Sequence, residues 1–342
     1  MAVGDSSQQG VNSYLTVFRE ATWGTYPATA ATNGTAIEFL SCNFVTNIDT
    51  QKLDTMGNRG HTKRVTLGRN VTGTLEMHLH PVESTLLLGV VMGGGIASSS
   101  LTGAYTHSIS VGNVTDTAPT AVSFNFKKGA TVFNYVGGRV NTLKIAATVG
   151  EVVKMSCDMV FKDSTIGATD ITANNSYTSV LPFTFVNGVF RYNSTEVNAA
   201  TTTSQEAITG FELTVNNNLK SDADARQLGS ALLSVLPPTR RTVELKVTQR
   251  FDTTTTYNRF IQATQGSVEL RFTGDSITSE HSNQMTIRLP KVFNKTGDTQ
   301  VAGSGEILKT EIEYDVIVDT TTSAGREIGI TVINNVGSYT SI

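Results

Sequence analysis

Two histidines one residue apart, His78 and His80, are residue types that could bind a transition metal. They lie in "TLEMHLH" (Thr74–His80), where apolar and polar residues alternate, so we expect both on one face of a strand. A third ligand would have to come from elsewhere in the chain. The other three histidines are scattered along it: His61, His107 and His281. We therefore predict no metal site and no cofactor, and we interpret the pair as polar positions on an uncovered strand face.

The glycine-rich stretch "GVVMGGGIASSS" (89–100) could in principle bind phosphate. It lacks the Gly-Lys-Ser/Thr ending that brings a lysine to a phosphate. It also follows a predicted helix, so no helix N-terminus points at an anion. We predict a helix stop and a turn without a ligand.

Three carboxylates, Glu311, Glu313 and Asp315, occur at every second position of one predicted strand. An acid/base pair needs two carboxylates whose pKa values differ, whereas three like charges in a row are typical of a solvated strand face. Ser230 in "LGSAL" resembles a nucleophile turn but lacks the second glycine. We predict no catalytic residue and no enzyme activity.

The composition favours a mainly β protein. Hydrophobic residues make up 39% and charged residues 16% of 342 positions, and the chain is rich in Thr and Val, which suit half-buried strands. The net charge is −3, and neither half has the excess of Lys and Arg that binds nucleic acid phosphates tightly. We interpret Cys42 and Cys157 as core residues without a disulfide. No segment is apolar for long enough to suggest a membrane span or a signal peptide.

The predicted elements occur twice in the same order. A strand near Phe44 is followed by the long polar stretch 49–69, a strand at Leu75 and a helix over Val82–Gly93. The second half repeats this with strands at Leu213 and Leu245, the polar stretch 216–241, and a helix over Thr253–Gly266 that Asp252 could cap. The two strand pairs are 31 and 32 residues apart. A repeated scaffold explains this pattern, whereas a metal site or phosphate loop needs no second copy.

The polar faces of the predicted strands are slightly acidic. The acidic side chains are Glu76, Asp158, Glu212, Glu244, Glu269, Glu311, Glu313 and Asp315. The basic ones are Lys144, Lys154, Lys246, Arg271, Arg288 and Lys309. Such a surface is not suited to holding phosphate.

Several segments in succession resemble the tail tube (major tail) proteins of long-tailed bacteriophages. "VFREATWGTYPA" (Val17–Ala28) resembles the N-terminal signature of that family, and "VTGTLEMHLHPVESTLLLGVVMG" (71–93) resembles its strand–proline–helix segment. "YVGGRVNTLKIAATVGEVVKMSCDMVFKD" (135–163) resembles its hairpin, and "AGSGEILKTEIEYDVI" (302–317) is similar to a strand of its second half. The resemblance extends over residues 14–320.

The resemblance implies a mainly β fold with two tandem tail-tube-like β-sandwich/barrel domains, each with a short flanking helix. We expect a first domain over 1–165, a linker over 166–180, a second domain over 181–320 and a C-terminal extension over 321–342. It also implies a structural virion protein, made in the host bacterial cytoplasm, that assembles into stacked rings. Three copies would form a ring with pseudo-sixfold symmetry, although a hexamer is also possible. The partners are then other copies, other tail proteins at the tube ends and passing DNA, with no insertion into a membrane.

Site residues follow from the same resemblance. The expected lumen-facing residues are Glu76, Glu244, Glu311, Glu313 and Asp315. The two long polar stretches are expected to be loops that bridge to the neighbouring ring through Arg59, Lys63, Arg64, Asp222, Asp224 and Arg226.

Two other functions stay open at this point. Another β-sandwich virion component, such as an adhesin, a fibre or a glycan-binding module, would have aromatic residues exposed on its loops. Trp23 is the one tryptophan, and aromatic residues total 7%. A virion-associated hydrolase that uses the acidic strand 311–315 is the weakest alternative.

Overall fold

A computed structural model describes residues 10–27, 34–54, 56–111, 121–167, 169–171, 177–193, 206–299, 307–320 and 326–339. Within these ranges the fold is mainly β, as predicted, with 18 strands and two α-helices. The first half holds β1 (Tyr14–Arg19), β2 (Thr35–Ile37), β3 (Ser41–Cys42), β4 (Val45–Leu53), β5 (Lys63–His78), α1 (Glu83–Met92), β6 (Gly93–Leu101), β7 (Ala104–Val111), β8 (Val122–Lys128), β9 (Thr131–Thr148), β10 (Lys154–Phe161) and β11 (Asp163–Ile166). The second half holds β12 (Gly188–Asn193), β13 (Ile208–Asn216), β14 (Thr242–Arg250), α2 (Thr255–Ile261), β15 (Gly266–Ser276), β16 (Ser282–Asn294), β17 (Lys309–Val316) and β18 (Gly329–Asn334).

The strand pairing of the first half is repeated in the second. In the first half, β1 pairs with β8, β8 with β9, β9 with β10, β10 with β5, and β5 with β3 and β4. In the second half the same series runs β12, β15, β16, β17, β14 and β13. All these pairs are antiparallel, and each half has its helix after the β5 or β14 strand. The series shows a repeated scaffold, as the sequence pattern predicted.

One antiparallel sheet runs through both halves because β9 pairs on both sides. It pairs with β10 through Arg139–Ala146 and with β13 through Thr142–Thr148. The sheet therefore continues as β4, β5, β10, β9, β13, β14 and β17. Alternate side chains of each strand point into the core on one face. A buried row crosses the sheet at Leu75, Cys157, Leu143, Val215, Leu213, Leu245 and Tyr314, each at most 2% exposed.

Strand β9 also bends from this sheet into a second layer formed with β8, β1, β2 and β11. The bend lies at Gly137, whose φ is +70°, a conformation that favours glycine. A buried carboxylate, Glu20, fixes it: Oε1 accepts from the Gly137 N–H at 2.6 Å and from the Ser123 hydroxyl at 2.5 Å, while Oε2 accepts from the Gly24 N–H at 2.6 Å. One set of hydrogen bonds thus explains the presence of Glu20 and Gly24 in "EATWG".

Helix α1 is buried along its whole length, and its own apolar residues are distributed around all of its sides. It ends at Gly93 (φ +73°), as predicted, but the glycines that follow begin strand β6 and are not a free turn. Helix α2 is shorter than predicted, and the prediction that Asp252 caps it is wrong. Its N-cap is Thr254, and Ala263 (φ +46°) lies between the helix and β15.

The C-terminal part of the chain connects the two halves. Strand β18 pairs with β16 of the second half and with β7 of the first. After it, the buried Tyr339 hydroxyl donates to the Val82 carbonyl, and Asn334 Nδ2 donates to that hydroxyl at 2.8 Å. The segment predicted as an extension therefore holds a strand of the sheet in its described part.

We expect Glu20→Gln to destabilise the protein, since the variant cannot accept all three hydrogen bonds at the β9 bend. The free energy of unfolding, measured by urea denaturation, should fall by about 2–4 kcal/mol. The control is Glu280→Gln, an exposed position between β15 and β16. It should change stability by less than about 0.5 kcal/mol. Equal stability of the two variants would contradict this role of Glu20.

Candidate functional site

The most extensive polar surface is the face of the shared sheet opposite the core, which we call the polar face. Six adjacent strands contribute to it: β5, β10, β9, β13, β14 and β17. Their acidic side chains are Glu76, Asp158, Glu212, Glu244, Glu311, Glu313 and Asp315. The basic side chains on the polar face are Lys144, Lys154, Lys246, Arg250 and Lys309. The other basic residues of these strands are Arg139, which is buried, and Lys63, Arg64 and Arg69, in the part of β5 that pairs with β4. All twelve side chains on the polar face are exposed or half-exposed, so among the described residues of these strands the polar face is close to neutral with a small acidic excess.

Cross-strand ion pairs order part of the polar face. Lys144 Nζ lies 2.8 Å from a Glu212 carboxylate oxygen, across the junction of the two halves. Lys246 Nζ lies 2.7 Å from Glu313, and Lys295 lies 3.6 Å from the same carboxylate. The hydrogen bond from Lys246 lowers the pKa of Glu313, which is therefore ionised at neutral pH. Exposed pairs of this kind contribute little to stability, but they neutralise the cations locally.

The negative charge of the polar face is concentrated where β14 meets β17. Glu244 lies directly opposite Asp315 in the β14–β17 register, and both side chains are exposed. Glu76, in contrast, lies on β5 at the other end of the sheet, where one carboxylate oxygen accepts from the Ser41 hydroxyl at 2.9 Å. The five predicted lumen-facing residues thus lie on one face, with four together on β14 and β17.

Glu269 was expected on the exposed acidic face, and for this residue the prediction is wrong. Its side chain is fully buried. Three arginines form ion pairs with its carboxylate, one from β12, one from β15 itself and one from β16. Arg191 lies 2.6 Å, Arg271 3.0 Å and Arg288 2.9 Å from its oxygens. Alternation alone does not show that both faces of β15 are covered here.

The first long polar stretch is a β-hairpin and not a loop, which corrects the prediction. Strand β4 and the first half of β5 form it, and we call it the arm. Almost every arm residue is exposed, including the predicted contact residues Arg59, Lys63 and Arg64. Apolar side chains are exposed with them, from 37% for Val65 to 102% for Met56. The others are Val45, Ile48 and Leu67.

The second long stretch folds back onto the first half of the same chain. Its residues Leu233 and Leu236 pack in a small core with Trp23 and Val160. Arg139 donates to the Leu236 carbonyl, and the Trp23 ring lies 5.5 Å from the Arg139 guanidinium. We call residues 216–241 the docked segment.

The three predicted contact residues of the docked segment differ in their surroundings. Arg226 binds within the chain: Nη2 donates to Asn70 Oδ1 at 2.5 Å and Nη1 to the Ala231 carbonyl at 2.8 Å. Asp222 and Asp224 are exposed beside Lys220, whose hydrogen bond lowers the pKa of Asp224. Asp222 and Asp224 therefore lie where another molecule could reach them.

His78 and His80 do not share a face, contrary to the prediction. Strand β5 ends at His78, and His80 turns inward to 5% exposure. There its Nε2 lies 2.5 Å from the Val180 carbonyl, and its Nδ1 accepts from the Val82 N–H at 3.2 Å. Burial lowers the pKa of His80, so the ring is neutral. In the described ranges no three His, Cys, Asp or Glu side chains come together as metal ligands.

A small cavity beside these histidines contains a titratable acid. Its lining includes Glu38, His78, His80 and Glu83. Burial raises the pKa of Glu83 to about 7, although Oε2 accepts from the Glu38 N–H at 2.8 Å. The serine considered as a nucleophile lies elsewhere: Ser230 donates to the Leu232 carbonyl at 3.2 Å within the docked segment. Glu83 is therefore not paired with this serine, and we interpret Glu83 as part of the packing around α1.

Comparison with known proteins identifies the family. A family model described as phage tail tube protein matches residues 10–316, which is nearly the whole chain. The match confirms the resemblance indicated by the succession of motifs. No curated protein matches the chain. Neither helix in the described part of the chain has the length and apolar character needed to cross a bilayer.

The raised pKa of Glu83 predicts a pH dependence of stability. The unfolded carboxyl ionises near its ordinary pKa of 4.5, whereas the folded one stays protonated up to about 7. Folding therefore binds a proton in this window, and the free energy of unfolding falls as pH rises from about 4.5 to 7. Glu83→Gln removes this loss and should be more stable than the parent protein at pH 8 by about 1–3 kcal/mol.

The difference between variant and parent, measured by urea denaturation from pH 4.5 to 8, isolates Glu83. His80 has a lowered pKa, so its contribution rises with pH and has the opposite sign. His78 and Glu38 face the same cavity and are unchanged in both proteins. A difference that does not vary with pH would contradict the assignment. The exposed Glu151→Gln serves as the matched control.

Proposed function

The chain belongs to the phage tail tube protein family, and we propose that copies of it join edge to edge into rings that stack into the tail tube. The observation that carries the proposal is the shared sheet. Strand β9 of the first half pairs with β13 of the second over seven residue pairs, Thr142–Thr148 with Gly210–Asn216. A sheet that already joins two repeats side by side can be continued by further repeats in the same direction.

The repeated pairing series favours three copies per ring. Each chain holds the series twice, so three chains supply six repeats around a pseudo-sixfold axis. A ring of six chains would hold twelve repeats and a much wider channel. We favour the trimer, because the resemblance implies six tube-like units per ring.

The polar face is then the wall of the channel. Duplex DNA binds proteins chiefly through cations that replace its counterions. The polar face has no cation excess, and several of its lysines are paired with carboxylates. DNA could pass along such a wall without being held, which suits a conduit for the genome into the host.

The tips of the arm and of the docked segment are the parts available for contact between rings. Arg59, Lys63 and Arg64 at the arm tip are basic, whereas Asp222 and Asp224 on the docked segment are acidic, and all five are exposed. Opposite charges on two exposed surfaces are suited to meeting across a ring-to-ring interface. Other tail proteins would bind the end rings of the finished tube in the virion.

The structure gives less support to a glycan-binding role. Trp23 donates through Nε1 to the Gly137 carbonyl at 3.0 Å and packs between Arg139 and Lys162. Trp23 is therefore engaged by contacts within the chain at the β9 bend, which does not favour a role in binding a sugar. We propose a structural role without catalysis.

Assembly can be tested on the purified chain. We expect concentration-dependent tubes in electron micrographs, with threefold rings in averaged end views and three copies per ring by mass measurement. Salt should weaken the stacking between rings, since exposed opposite charges contribute to it. A monodisperse monomer at all concentrations and salt conditions would refute the proposal. Binding on a glycan array would favour the alternative of a glycan-binding module.

The channel wall can be tested by charge reversal. Glu244→Lys together with Asp315→Lys adds four positive charge units per chain to the polar face. Tubes of this variant should retain labelled duplex DNA at 50 mM salt and release it by about 200 mM, as expected for phosphate contacts. Asp275→Lys with Glu280→Lys, two exposed positions at the end of β15 and in the turn after it, adds the same charge elsewhere. Equal retention by both variants would show that the polar face is not the channel wall.

A further inference from the structure

We propose that the ring closes by a second copy of the β9–β13 joint, made between molecules. Residues 293–296 of one copy would pair antiparallel with residues 42–45 of the next, and Lys295 would lie opposite Asn43. This inference rests on the proposed self-assembly and specifies which edges meet and in which register.

The register comes from matching the two pairing series, beginning at β5 and β14. Leu75 pairs with Cys157 in the first half, and Leu245 pairs with Tyr314 in the second. All four side chains point into the core. The other neighbour of Leu75 is Cys42 on β3. The other neighbour of Leu245 is Leu213 on β13, so Cys42 corresponds to Leu213.

The partner edge is matched in the same way. Cys157 pairs with Leu143 on β9, and Tyr314 pairs with Asn294 on β16. One position further, the Lys295 N–H donates to the Glu313 carbonyl at 2.8 Å, which continues the β16–β17 ladder. Lys295 therefore corresponds to Lys144.

Combining the two correspondences gives the joint between copies. Within the chain, Lys144 lies opposite Thr214 on β13. Thr214 follows Leu213 and corresponds to Asn43. Lys295 of one copy should therefore lie opposite Asn43 of the next copy, Phe293 opposite Val45, and Thr296 opposite Cys42.

In a single copy, neither edge has a neighbouring strand among the described residues. The pairing of β16 with β15 ends at Val292, and β18 pairs only with Gln284–Arg288, so the described residues 293–296 have a ladder on the β17 side alone. On the other edge, β3 pairs with β5, and the N–H groups of Leu40 and Asn43 both donate to β5 carbonyls. At Phe44 the carbonyl accepts from Lys128 Nζ at 3.1 Å and from the Tyr135 hydroxyl at 3.2 Å. Phe44 corresponds to Val215, whose neighbour across the joint within the chain is Leu143. In a single copy, the Lys128 and Tyr135 side chains take the place of such a neighbour beside Phe44.

The same correspondence pairs apolar surfaces that are exposed in the single copy. The docked segment covers Val160, which pairs with Arg139 across β10 and β9. The matching residue of the second half is Ile317, whose N–H donates to the Lys291 carbonyl at 3.0 Å. Ile317 is 46% exposed. The arm and the docked segment correspond to each other along the chain, because the arm ends in β5 of the first half and the docked segment leads into β14 of the second.

The base of the arm of one copy would therefore cover Ile317 of the neighbouring copy. Ile48 and Leu67 lie at this base and are 57% and 59% exposed. Exposed apolar clusters of this kind mark surfaces that bind other proteins. Seated on Ile317 of the neighbouring copy, the arm would repeat the contact between the docked segment and Val160. One joint thus explains an open strand edge and two exposed apolar groups.

Cross-linking tests the register directly. The hydrogen bonds from Asn217 N to Asn141 O and from Val149 N to Thr209 O place Lys144 and Thr214 at a non-hydrogen-bonded pair, where side chains approach most closely. Asn43→Cys with Lys295→Cys, in a Cys42→Ser background, should therefore form disulfides between copies under mild oxidation. We expect covalent dimers and closed trimers in denaturing gels, reversed by a reductant. The buried Cys157 is retained.

Control variants separate this inference from the proposed function. Each single cysteine should stay monomeric in the gel, and Asn43→Cys with Asp298→Cys, three positions out of register, should cross-link at least tenfold less. If threefold tubes form but the shifted pair cross-links as well as the matched pair, the register is refuted and the proposed function stands. If the unmodified chain forms no rings under any condition, the proposed function fails first.

A substitution tests the arm contact separately. Ile317→Asp is expected to leave the melting temperature of the monomer within about 2 °C, since the side chain is already half-exposed. It should weaken ring formation at least tenfold in sedimentation. Val11→Asp, at a position 81% exposed outside the joint, is the matched control. Ring formation by Ile317→Asp equal to that of the control would overturn the proposed seat of the arm.

Discussion

The structure depends on one constraint: the backbone N–H and C=O groups at a strand edge need partners. Inside the chain this constraint is met where β13 of the second half completes the free edge of β9. The pairing series then repeats and ends on an equivalent edge at β16 without such a partner among the described residues. The proposed assembly between molecules would therefore use the same geometry that joins the two halves within one molecule.

The bend in β9 allows that geometry and also protects the core. Because β9 leaves the second layer at Gly137, its later residues can lie between β10 and β13 with Leu143 and Ile145 fully buried. Glu20 holds the bend through three short hydrogen bonds to an ionisable group, which are stronger than neutral ones. Trp23 and Arg139 extend the same cluster to the docked segment. A local N-terminal motif thus supports the junction of the two halves.

Period-two alternation allowed much of the fold to be predicted. It identified the strands at Leu75, Leu213 and Leu245, and the repeated order of elements predicted the repeated pairing. Alternation fails where a strand ends or where both faces are covered, as for His80, which turns inward after β5, and for Glu269, which lies under three arginines. The sequence pattern predicted a loop where the arm lies, because the strands of the arm are exposed on both faces and so lack a periodic row of apolar residues. Pairing across β9 and β13 depends on residues far apart in sequence, and no local pattern reveals it.

Duplication within one chain changes how the proposed ring would form. Six separate subunits would need six bimolecular joints, whereas three duplicated chains need three, because the β9–β13 joint is already made during folding. A joint within a chain is favoured by a high effective concentration and does not require the encounter of two molecules. It can therefore be long and well ordered, as the seven pairs and the Lys144–Glu212 contact show. The proposed joint between copies would be shorter and would need the arm, because backbone pairing over a few residues alone would not hold two molecules together.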